Sequence, residues 1–362
     1  MAKLPSRVPH VLGDSSLDRF DVVVIGSGAG GSAAARLLAE GGLRVCVLEA
    51  GESYFAGLDD PEATPEPLFS SDELKFSVRG LIQQQTRVDP RSFRESATSG
   101  ERSYVGEVND LPKTLGGGWV HADMKTPRFN EVDFRLGTLL GDVPGASFAD
   151  WPLDYAELEP FYEAVELATG VQGEAGADPF ASPRRRPYPM PPGPPMYVAE
   201  LPSAGARSLG LTPFPYPTAS ASRDYRGRPP CNDCGFCSGY GCPINAKGSP
   251  PVTFLRDALL TGLVQVRTNA RATRLLRDAS GRRITAAEYL DADGNPASVA
   301  ADRFVLAASA IESARLCLLS DPGGPGLGNS SGLVGRNLMF HYQTIAVGLY
   351  RESLHGERGR SV

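Results

Sequence analysis

The stretch Gly26-Ser27-Gly28-Ala29-Gly30-Gly31 decides the fold of this 362-residue chain. It matches G-x-G-x-x-G, in which the first glycine makes a tight turn, the second lets backbone approach a pyrophosphate and the third permits close helix packing. Apolar runs at 20–25 and 43–48 flank it, and residues 33–38 have helical composition. The sequence therefore predicts a βαβ unit whose helix N-terminus binds a dinucleotide through Gly26, Gly28 and Gly31.

Glu49 ends the second predicted strand of this unit. An acidic side chain at that place accepts hydrogen bonds from ribose hydroxyls and disfavours a 2'-phosphate, so NADP is not the expected ligand. FAD and NAD both present an ADP half to the same turn, and the motif alone does not separate them.

Composition and charge exclude two classes of partner. The chain has 36 basic and 42 acidic residues and a net charge of -6, without a Lys/Arg-rich run, so nucleic acid is not expected as a partner. No window approaches the roughly 18 apolar residues of a membrane span, and the expected location is cytoplasmic. The length favours two domains.

Beyond the dinucleotide unit, the sequence predicts one long helix, a proline-rich connector and a return to sheet. Asp154 caps a helix within residues 151–169, which Gly170 ends, and Leu158, Phe161, Val165 and Leu167 supply its apolar spacing. Residues 179–195 are predicted to be extended. A strand or a helix is predicted at 74–88, and helices at 252–263 and 310–319. A hairpin turn is predicted at 291–294, and strands at 264–266, 272–276, 284–290, 303–308 and 345–350.

Three further stretches, taken with the dinucleotide turn, resemble the glucose-methanol-choline (GMC) oxidoreductase family, whose members bind FAD. Leu115-Gly116-Gly117-Gly118-Trp119-Val120-His121 resembles the family's second glycine-rich loop, which lies against the flavin. Residues 269–274 resemble the strand that touches the adenine end of FAD. Residues 304–319 and 331–338 resemble a later segment near the cofactor, with Ser309 where the family frequently has glycine. The resemblance thus adds Gly116, Gly117, Gly118, His121, Ala272 and Asn337 to the predicted FAD-binding residues.

The resemblance implies an α/β fold in two interleaved domains. A Rossmann-like FAD-binding domain with a doubly wound, mostly parallel sheet is expected over 18–135 and 225–340. An incomplete α+β substrate domain is expected over 136–224 and 341–362. The implied activity is FAD-dependent oxidation of a CH-OH group in an alcohol or sugar by hydride transfer to the flavin.

The catalytic base stays unassigned. In the family it is a histidine close to the C-terminus of a longer chain, and none of His10, His121, His341 and His355 occupies that place. His341 is expected to pack rather than catalyse. The expectation is therefore a C-terminally truncated chain, and a catalytically incomplete FAD-binding or electron-transfer module is the alternative to an enzyme.

Four cysteines, Cys231, Cys234, Cys237 and Cys242, form the run C-x2-C-x2-C-x4-C-P. This spacing is close to that of bacterial ferredoxins, so the four thiols are predicted metal ligands, with structural zinc, disulfides or free thiols as alternatives. The segment also resembles gluconate- and sugar-dehydrogenase relatives, some of which carry a [3Fe-4S] cluster.

A [3Fe-4S] or [4Fe-4S] cluster would imply a dehydrogenase that delivers electrons to an acceptor protein or quinone, with peripheral membrane association through that partner. A nicotinamide-dependent dehydrogenase with structural zinc is a further alternative.

Overall fold

The computed structural model of the protein describes residues 8–17, 19–68, 92–93, 104–105, 113–146, 148–235, 237, 239–339 and 347–355. The chain divides into two compact units, each made of two segments. The first unit is Met1–His121 with Pro250–Ala346, and the second is Ala122–Ser249 with Val347–Val362.

Six helices lie in the described ranges: α1 (Ala29–Glu40), α2 (Leu136–Leu140), α3 (Tyr155–Thr169), α4 (Glu200–Ser208), α5 (Phe254–Leu259) and α6 (Ser309–Leu319). Short 3-10 helices cover Gly117–Val120, Glu131–Arg135, Tyr197–Ala199 and Pro250–Val252. Two-residue strand pairs join Phe55–Ala56 to Glu66–Pro67 and Ser92–Phe93 to Tyr104–Val105.

The first unit is built on a seven-stranded sheet. In chain order its strands are β1 (Val11–Gly13), β2 (Phe20–Ile25), β3 (Val45–Leu48), β4 (Val264–Arg267), β5 (Arg271–Arg277), β6 (Ile284–Leu290) and β7 (Pro296–Leu306). Their spatial order is β1-β4-β3-β2-β7-β6-β5.

The sheet is mixed, which confirms the α/β class but not a mostly parallel sheet. Strands β4, β3, β2 and β7 run parallel, whereas β1 and the meander β5-β6-β7 pair antiparallel. The predicted turn at 291–294 reverses the chain between β6 and β7 and so makes this pair antiparallel. Because β7 pairs with β6 over 296–300 and with β2 over 301–306, it is longer than the predicted strand at 303–308.

Apolar side chains of β2 and β3 form the centre of the first unit. Both strands are buried in the parallel part of the sheet, as their continuous Val/Ile/Leu runs predict. Small residues on α1, among them Gly31, Ala35 and Ala39, let this helix pack closely on β2, β3, β7 and α5. Leu316 of α6 joins the same core.

Several predicted elements differ from those observed. The helix predicted at 252–263 is the 3-10 turn Pro250–Val252 followed by the short α5, and Gly262, with a φ of +74°, lies in the turn that follows it. Val347 to Tyr350, the described part of the strand predicted at 345–350, form no strand. The predicted element at 74–88, residues 345–346 and His341 lie outside the described residues.

Helix α3 of the second unit begins and ends where predicted. The Asp154 side chain accepts a hydrogen bond from the Glu157 N–H at 2.9 Å, and Gly170 adopts a left-handed φ of +72° after the last turn. The connector 179–195, described throughout, contains no helix or strand, as predicted.

Two carboxylates lie on the buried face of α3, which corrects the predicted apolar spacing. Phe161 is 65% exposed and Leu167 is exposed, whereas Glu159 and Glu166 are buried. The reason is Arg128, whose guanidinium donates two hydrogen bonds to Glu166 at 2.8 and 2.9 Å and one to Glu159 at 3.0 Å. Paired carboxylates can occupy a buried face that unpaired ones cannot.

The unit boundaries differ from the predicted domain boundaries. Segments 122–135 and 225–249, predicted to belong to the FAD-binding domain, belong to the second unit. Backbone hydrogen bonds hold them there, including Thr126 N–H to Pro217 O at 2.9 Å and Gly248 N–H to Ala219 O at 2.8 Å.

Candidate cofactor site and cysteine loop

The turn after β2 admits only glycine at two of its motif positions. Gly26 has a φ of +97°, and a Cβ there would lie 2.4 Å from the carbonyl oxygen of Ala307. A Cβ on Gly31 would lie 1.9 Å from the carbonyl oxygen of Gly26. The first glycine thus forms the turn and the third brings α1 against it.

Gly28 faces open space at the start of α1. It is the N-cap residue of that 12-residue helix, and a Cβ there would meet nothing within 4 Å. The unpaired N–H groups and the dipole of a helix N-terminus favour an anion at such a position. The second glycine loop adjoins it, since a Cβ on Gly117 would lie 3.0 Å from the Gly28 Cα.

A cleft in the first unit opens at this helix N-terminus. Five predicted cofactor residues line it: Gly26, Gly28, Glu49, Gly118 and Ala272. Three others do not line the cleft but pack closely on nearby residues: Gly31 packs on Gly26, Gly116 on Pro251, and Gly117 on Gly28. His121, which is half-buried, and Asn337, which is exposed with a φ of +58°, are not among the lining residues. The cofactor-binding roles of all ten residues stay predictions.

Glu49 is buried beside the turn. Its Oε2 accepts hydrogen bonds from the Ser27 N–H at 3.1 Å and the Ser27 hydroxyl at 2.6 Å, and its Oε1 accepts one from the Gly51 N–H at 2.8 Å. Burial raises the pKa of Glu49, and the donors on Ser27 and Gly51 oppose that shift. The carboxylate therefore reaches the cleft in a fixed orientation.

Sequence reasoning missed several residues of the cleft. Those with polar side chains are Ser27, Lys113, Arg271, Ser309, Glu312 and Arg315. Ser27 occupies a motif position that G-x-G-x-x-G leaves unspecified. Arg315 and Glu312 could have been found from their spacing of three on α6, which places them on one helix face, where they form a 3.3 Å ion pair.

The cysteine loop, residues 231–242, lies in the second unit. None of its four cysteines forms a disulfide among the residues that the structure describes, and Cys237 is buried. Over the described ranges, no group of three or more Cys, His, Asp or Glu side chains is arranged to hold a metal ion. The metal-ligand roles of Cys231, Cys234, Cys237 and Cys242 therefore stay predictions.

The buried side chain of Lys247 donates hydrogen bonds to the backbone of this loop. The side chain is 2% exposed, and its ammonium donates to the carbonyl oxygens of Ala122 at 2.7 Å, Cys237 at 2.7 Å and Tyr240 at 2.8 Å. Burial lowers the pKa of Lys247, while the nearby thiols of Cys237 and Cys242 favour its charged form.

Arg228 is a second buried cation beside the loop. Its guanidinium donates to the carbonyl oxygens of Thr169 at 2.6 Å and Ala246 at 3.2 Å. Burial lowers the pKa of Arg228 to about 10. Among the residues that the structure describes, neither Arg228 nor Lys247 forms an ion pair with a carboxylate.

Two family models match the chain. Residues 198–343 match the model described as GMC oxidoreductase, and residues 21–57 match that of an FAD binding domain. The second match contains the turn of Gly26 and Gly28 and the carboxylate of Glu49.

None of the described helices is both long and apolar enough to cross a membrane.

Individual relatives show the same similarity. The gluconate 2-dehydrogenase flavoprotein of Pantoea cypripedii is 31% identical over 94% of this chain and 58% of the relative. The fructose dehydrogenase large subunit of Gluconobacter japonicus is 31% identical over 89% of this chain and 58% of the relative. The chain thus spans less than two thirds of the length of either protein.

A solved structure shows a similar fold. A formate oxidase superposes with a TM-score of 0.50 at 17% identity, covering 83% of this chain and 47% of that protein. At this identity the likeness bears on the fold alone.

Proposed function

Because the chain belongs to the GMC oxidoreductase family, we propose that it is an FAD-dependent oxidoreductase of CH-OH groups in an alcohol or sugar. The observation that carries the proposal is the cleft at the N-terminus of α1, where Gly28, Glu49, Gly118 and Ala272 converge. The gluconate and fructose dehydrogenases among the relatives support a sugar-like substrate.

Each part of the cleft fits one part of FAD. Gly28 and the N-terminus of α1 would receive the pyrophosphate, because the open glycine lets its oxygens approach the backbone N–H groups. Glu49 would accept a ribose hydroxyl. Ala272, at the start of β5, would contact the adenine end, and Gly118 in the second glycine loop would lie toward the flavin.

Bound FAD supplies the two-electron acceptor for oxidation of the alcohol carbon. The residues of this chain bind and orient that group, and the turn at Gly26 and Gly31 gives it a rigid support. The base that takes the hydroxyl proton is not assigned to a residue of this chain.

FAD binding is tested by titrating purified protein with FAD and following the quenching of flavin fluorescence. The variant Gly28→Val fills the open side of the turn, so it should lower FAD affinity more than about 100-fold while leaving the apo-protein folded. Gly30→Ala is the matched control, because a Cβ there also meets nothing within 4 Å but Gly30 does not line the cleft. Wild-type protein that binds NAD but no FAD would overturn the proposal.

Catalysis is tested separately from binding. Anaerobic addition of a panel of sugars and alcohols to the FAD-loaded protein should bleach the oxidised flavin absorption with at least one substrate. FAD that binds but is reduced by none of them would show an FAD-binding module without the proposed activity.

The cysteine loop supports a second proposal, that electrons leave through a cysteine-bound iron-sulfur cluster for an acceptor protein or quinone. The supporting observation is electrostatic: Lys247 and Arg228 are buried cations whose hydrogen bonds go to carbonyl oxygens, and ligating thiolates would neutralise them. Against it stands the arrangement of the thiols, which would have to move together to bind a metal. No step of the reaction is derived through the cluster.

Iron, zinc and sulfide analysis of anaerobically purified protein tests this second proposal. About three or four irons per chain would support it, and replacing Cys234 by Ser should then lower the iron content. Cys46→Ser is a control, because Cys46 lies in the core of the first unit. Zinc, or neither metal, would overturn it and leave the FAD proposal intact.

A further inference from the structure

The hydroxyl of Ser27 connects three parts of the chain that are distant in sequence. The Gly116 N–H donates to the Ser27 Oγ at 2.9 Å, and the Ser27 hydroxyl lies 2.6 Å from Glu49 Oε2. Ser27 is fully buried, and all three residues belong to the first unit. One side chain thus joins the dinucleotide turn, the end of β3 and the second glycine loop.

The direction of these hydrogen bonds is fixed by the donors. A hydroxyl has one proton, and since the Gly116 N–H donates to the Ser27 oxygen, the Ser27 proton is left to donate to Glu49. The backbone N–H of Ser27 donates to the same carboxylate oxygen. Both acceptor positions of Glu49 Oε2 are therefore filled by Ser27.

Most acceptor positions of the Glu49 carboxylate are occupied by donors within the protein. A carboxylate has about four acceptor positions, of which Ser27 fills two and the Gly51 N–H fills one on Oε1. The remaining position is on Oε1, and Glu49 lines the cleft. One ligand hydroxyl can thus be accepted, in an orientation that Ser27 sets.

The turn itself does not require a serine at this position. The G-x-G-x-x-G pattern constrains its glycines and leaves the second residue open. A residue without a hydroxyl would leave the buried Gly116 N–H without its acceptor and would remove one of the two Ser27 donors from Glu49. The serine is therefore explained by its contacts across the site rather than by backbone conformation.

We propose that Ser27 is a positioning residue of the cofactor site, which orients Glu49 toward the ribose and holds the second glycine loop beside Gly28. The proposal rests on the FAD-dependent function proposed above. The Ser27 hydroxyl contacts Glu49 and Gly116, and its effect on FAD affinity should be transmitted through Glu49, because Glu49 lines the cleft and Gly116 does not.

A double-mutant cycle on FAD affinity tests this route. Ser27→Ala and Glu49→Gln should each weaken FAD binding by roughly 10- to 100-fold, as expected for losing a buried hydrogen bond to a charged group. If Ser27 acts through Glu49, the double variant should bind within about threefold of the weaker single variant. Losses that multiply would overturn the proposal.

Ser32→Ala is the matched control. Ser32 is also fully buried, and its hydroxyl donates to the Ser27 carbonyl oxygen at 2.6 Å, without touching Glu49 or Gly116. Ser32→Ala should lose stability as any buried serine would, but its effect on FAD affinity should multiply with that of Glu49→Gln.

A measurement on the apo-protein separates this proposal from the function itself. Hydrogen exchange in the peptide containing Gly116 should be faster in Ser27→Ala than in wild-type protein and unchanged in Ser32→Ala. Unchanged exchange in Ser27→Ala would overturn the positioning role. Faster exchange in Ser27→Ala, together with wild-type protein that binds no FAD, would instead uphold the contact and reject the proposed function.

Discussion

The ammonium nitrogen of Lys247 lies 2.7 Å from the carbonyl oxygen of Cys237, in the middle of the cysteine loop. The same ammonium donates hydrogen bonds to the carbonyl oxygens of Tyr240, which is also in the loop, and of Ala122, which is outside it. Three protons meet three carbonyl oxygens, so the buried charge is fully hydrogen-bonded. Lys247 therefore ties the loop at two points, in addition to the backbone hydrogen bonds of the loop itself.

Lys247→Met should loosen the cysteine loop. Three buried carbonyl oxygens would lose their donor, and we expect the free energy of unfolding to fall by about 2–4 kcal/mol. Cys237, which is 6% exposed, should then be alkylated faster, as measured by mass spectrometry of iodoacetamide-treated protein.

Lys125→Met is the control for this variant. Lys125 is a half-exposed lysine paired with Asp123 at 3.3 Å, and its loss should change stability by no more than about 0.5 kcal/mol. Equal alkylation of Cys237 in Lys247→Met and wild-type protein would contradict the holding role of Lys247.

Gly31→Ala and Gly30→Ala should have opposite effects on stability. A Cβ at Gly31 would lie 1.9 Å from the Gly26 carbonyl oxygen, so the turn or α1 must move and about 2–3 kcal/mol should be lost. A Cβ at Gly30 meets nothing within 4 Å, and alanine there should stabilise α1 by up to about 1 kcal/mol. Thermal unfolding of the two variants checks the difference, and equal melting temperatures would show that the helix does not pack as described.

Ser309→Gly should stabilise the first unit. Ser309 adopts a φ of +71° at the start of α6, a conformation that costs a residue with a Cβ about 1 kcal/mol or more and costs glycine little. Ser309→Ala removes the same hydroxyl but keeps the Cβ, so it should give no such gain. A melting temperature that rises equally in both variants would assign the effect to the hydroxyl instead of the backbone.

Local signals in the sequence predicted the parts of the structure that local forces determine. The turn around Gly28, the start of α3 at Asp154 and its end at Gly170 all follow from residues within one or two turns of each other. Contacts between distant residues were not predictable in this way. Ser27 meets Gly116 across 89 residues and Glu166 meets Arg128 across 38, and no spacing rule connects such positions.

The same distinction explains the buried carboxylates of α3 and the cysteine loop. A helical pattern shows which residues share a face, but the face that is buried depends on partners such as Arg128 that lie elsewhere in the chain. The spacing of Cys231 to Cys242 likewise predicts ligand chemistry, whereas the buried charge of Lys247 next to it appears only in the folded chain.

The last prediction concerns acid stability and Glu166. Burial of Glu166 favours its protonated form, but hydrogen bonds from Arg128 and Arg184 outweigh burial and hold the pKa of Glu166 below its ordinary value of 4.5. An acid whose pKa is lower in the folded state stabilises the protein above its unfolded pKa. That contribution is lost as the pH falls below about 4.5 and Glu166 becomes protonated.

Glu166→Gln should therefore be less stable than wild-type protein at pH 7 by roughly 3 kcal/mol in unfolding free energy, and the difference between the two melting temperatures should shrink as the pH falls below 4.5. Arg186→Met is the control, because Arg186 is 71% exposed and pairs with Glu163 rather than Glu166, so its pH dependence should follow that of wild-type protein. Melting temperatures measured between pH 7 and 3 distinguish the cases. A constant difference between wild-type and Glu166→Gln protein over that range would show that the two arginines do not hold Glu166 ionised.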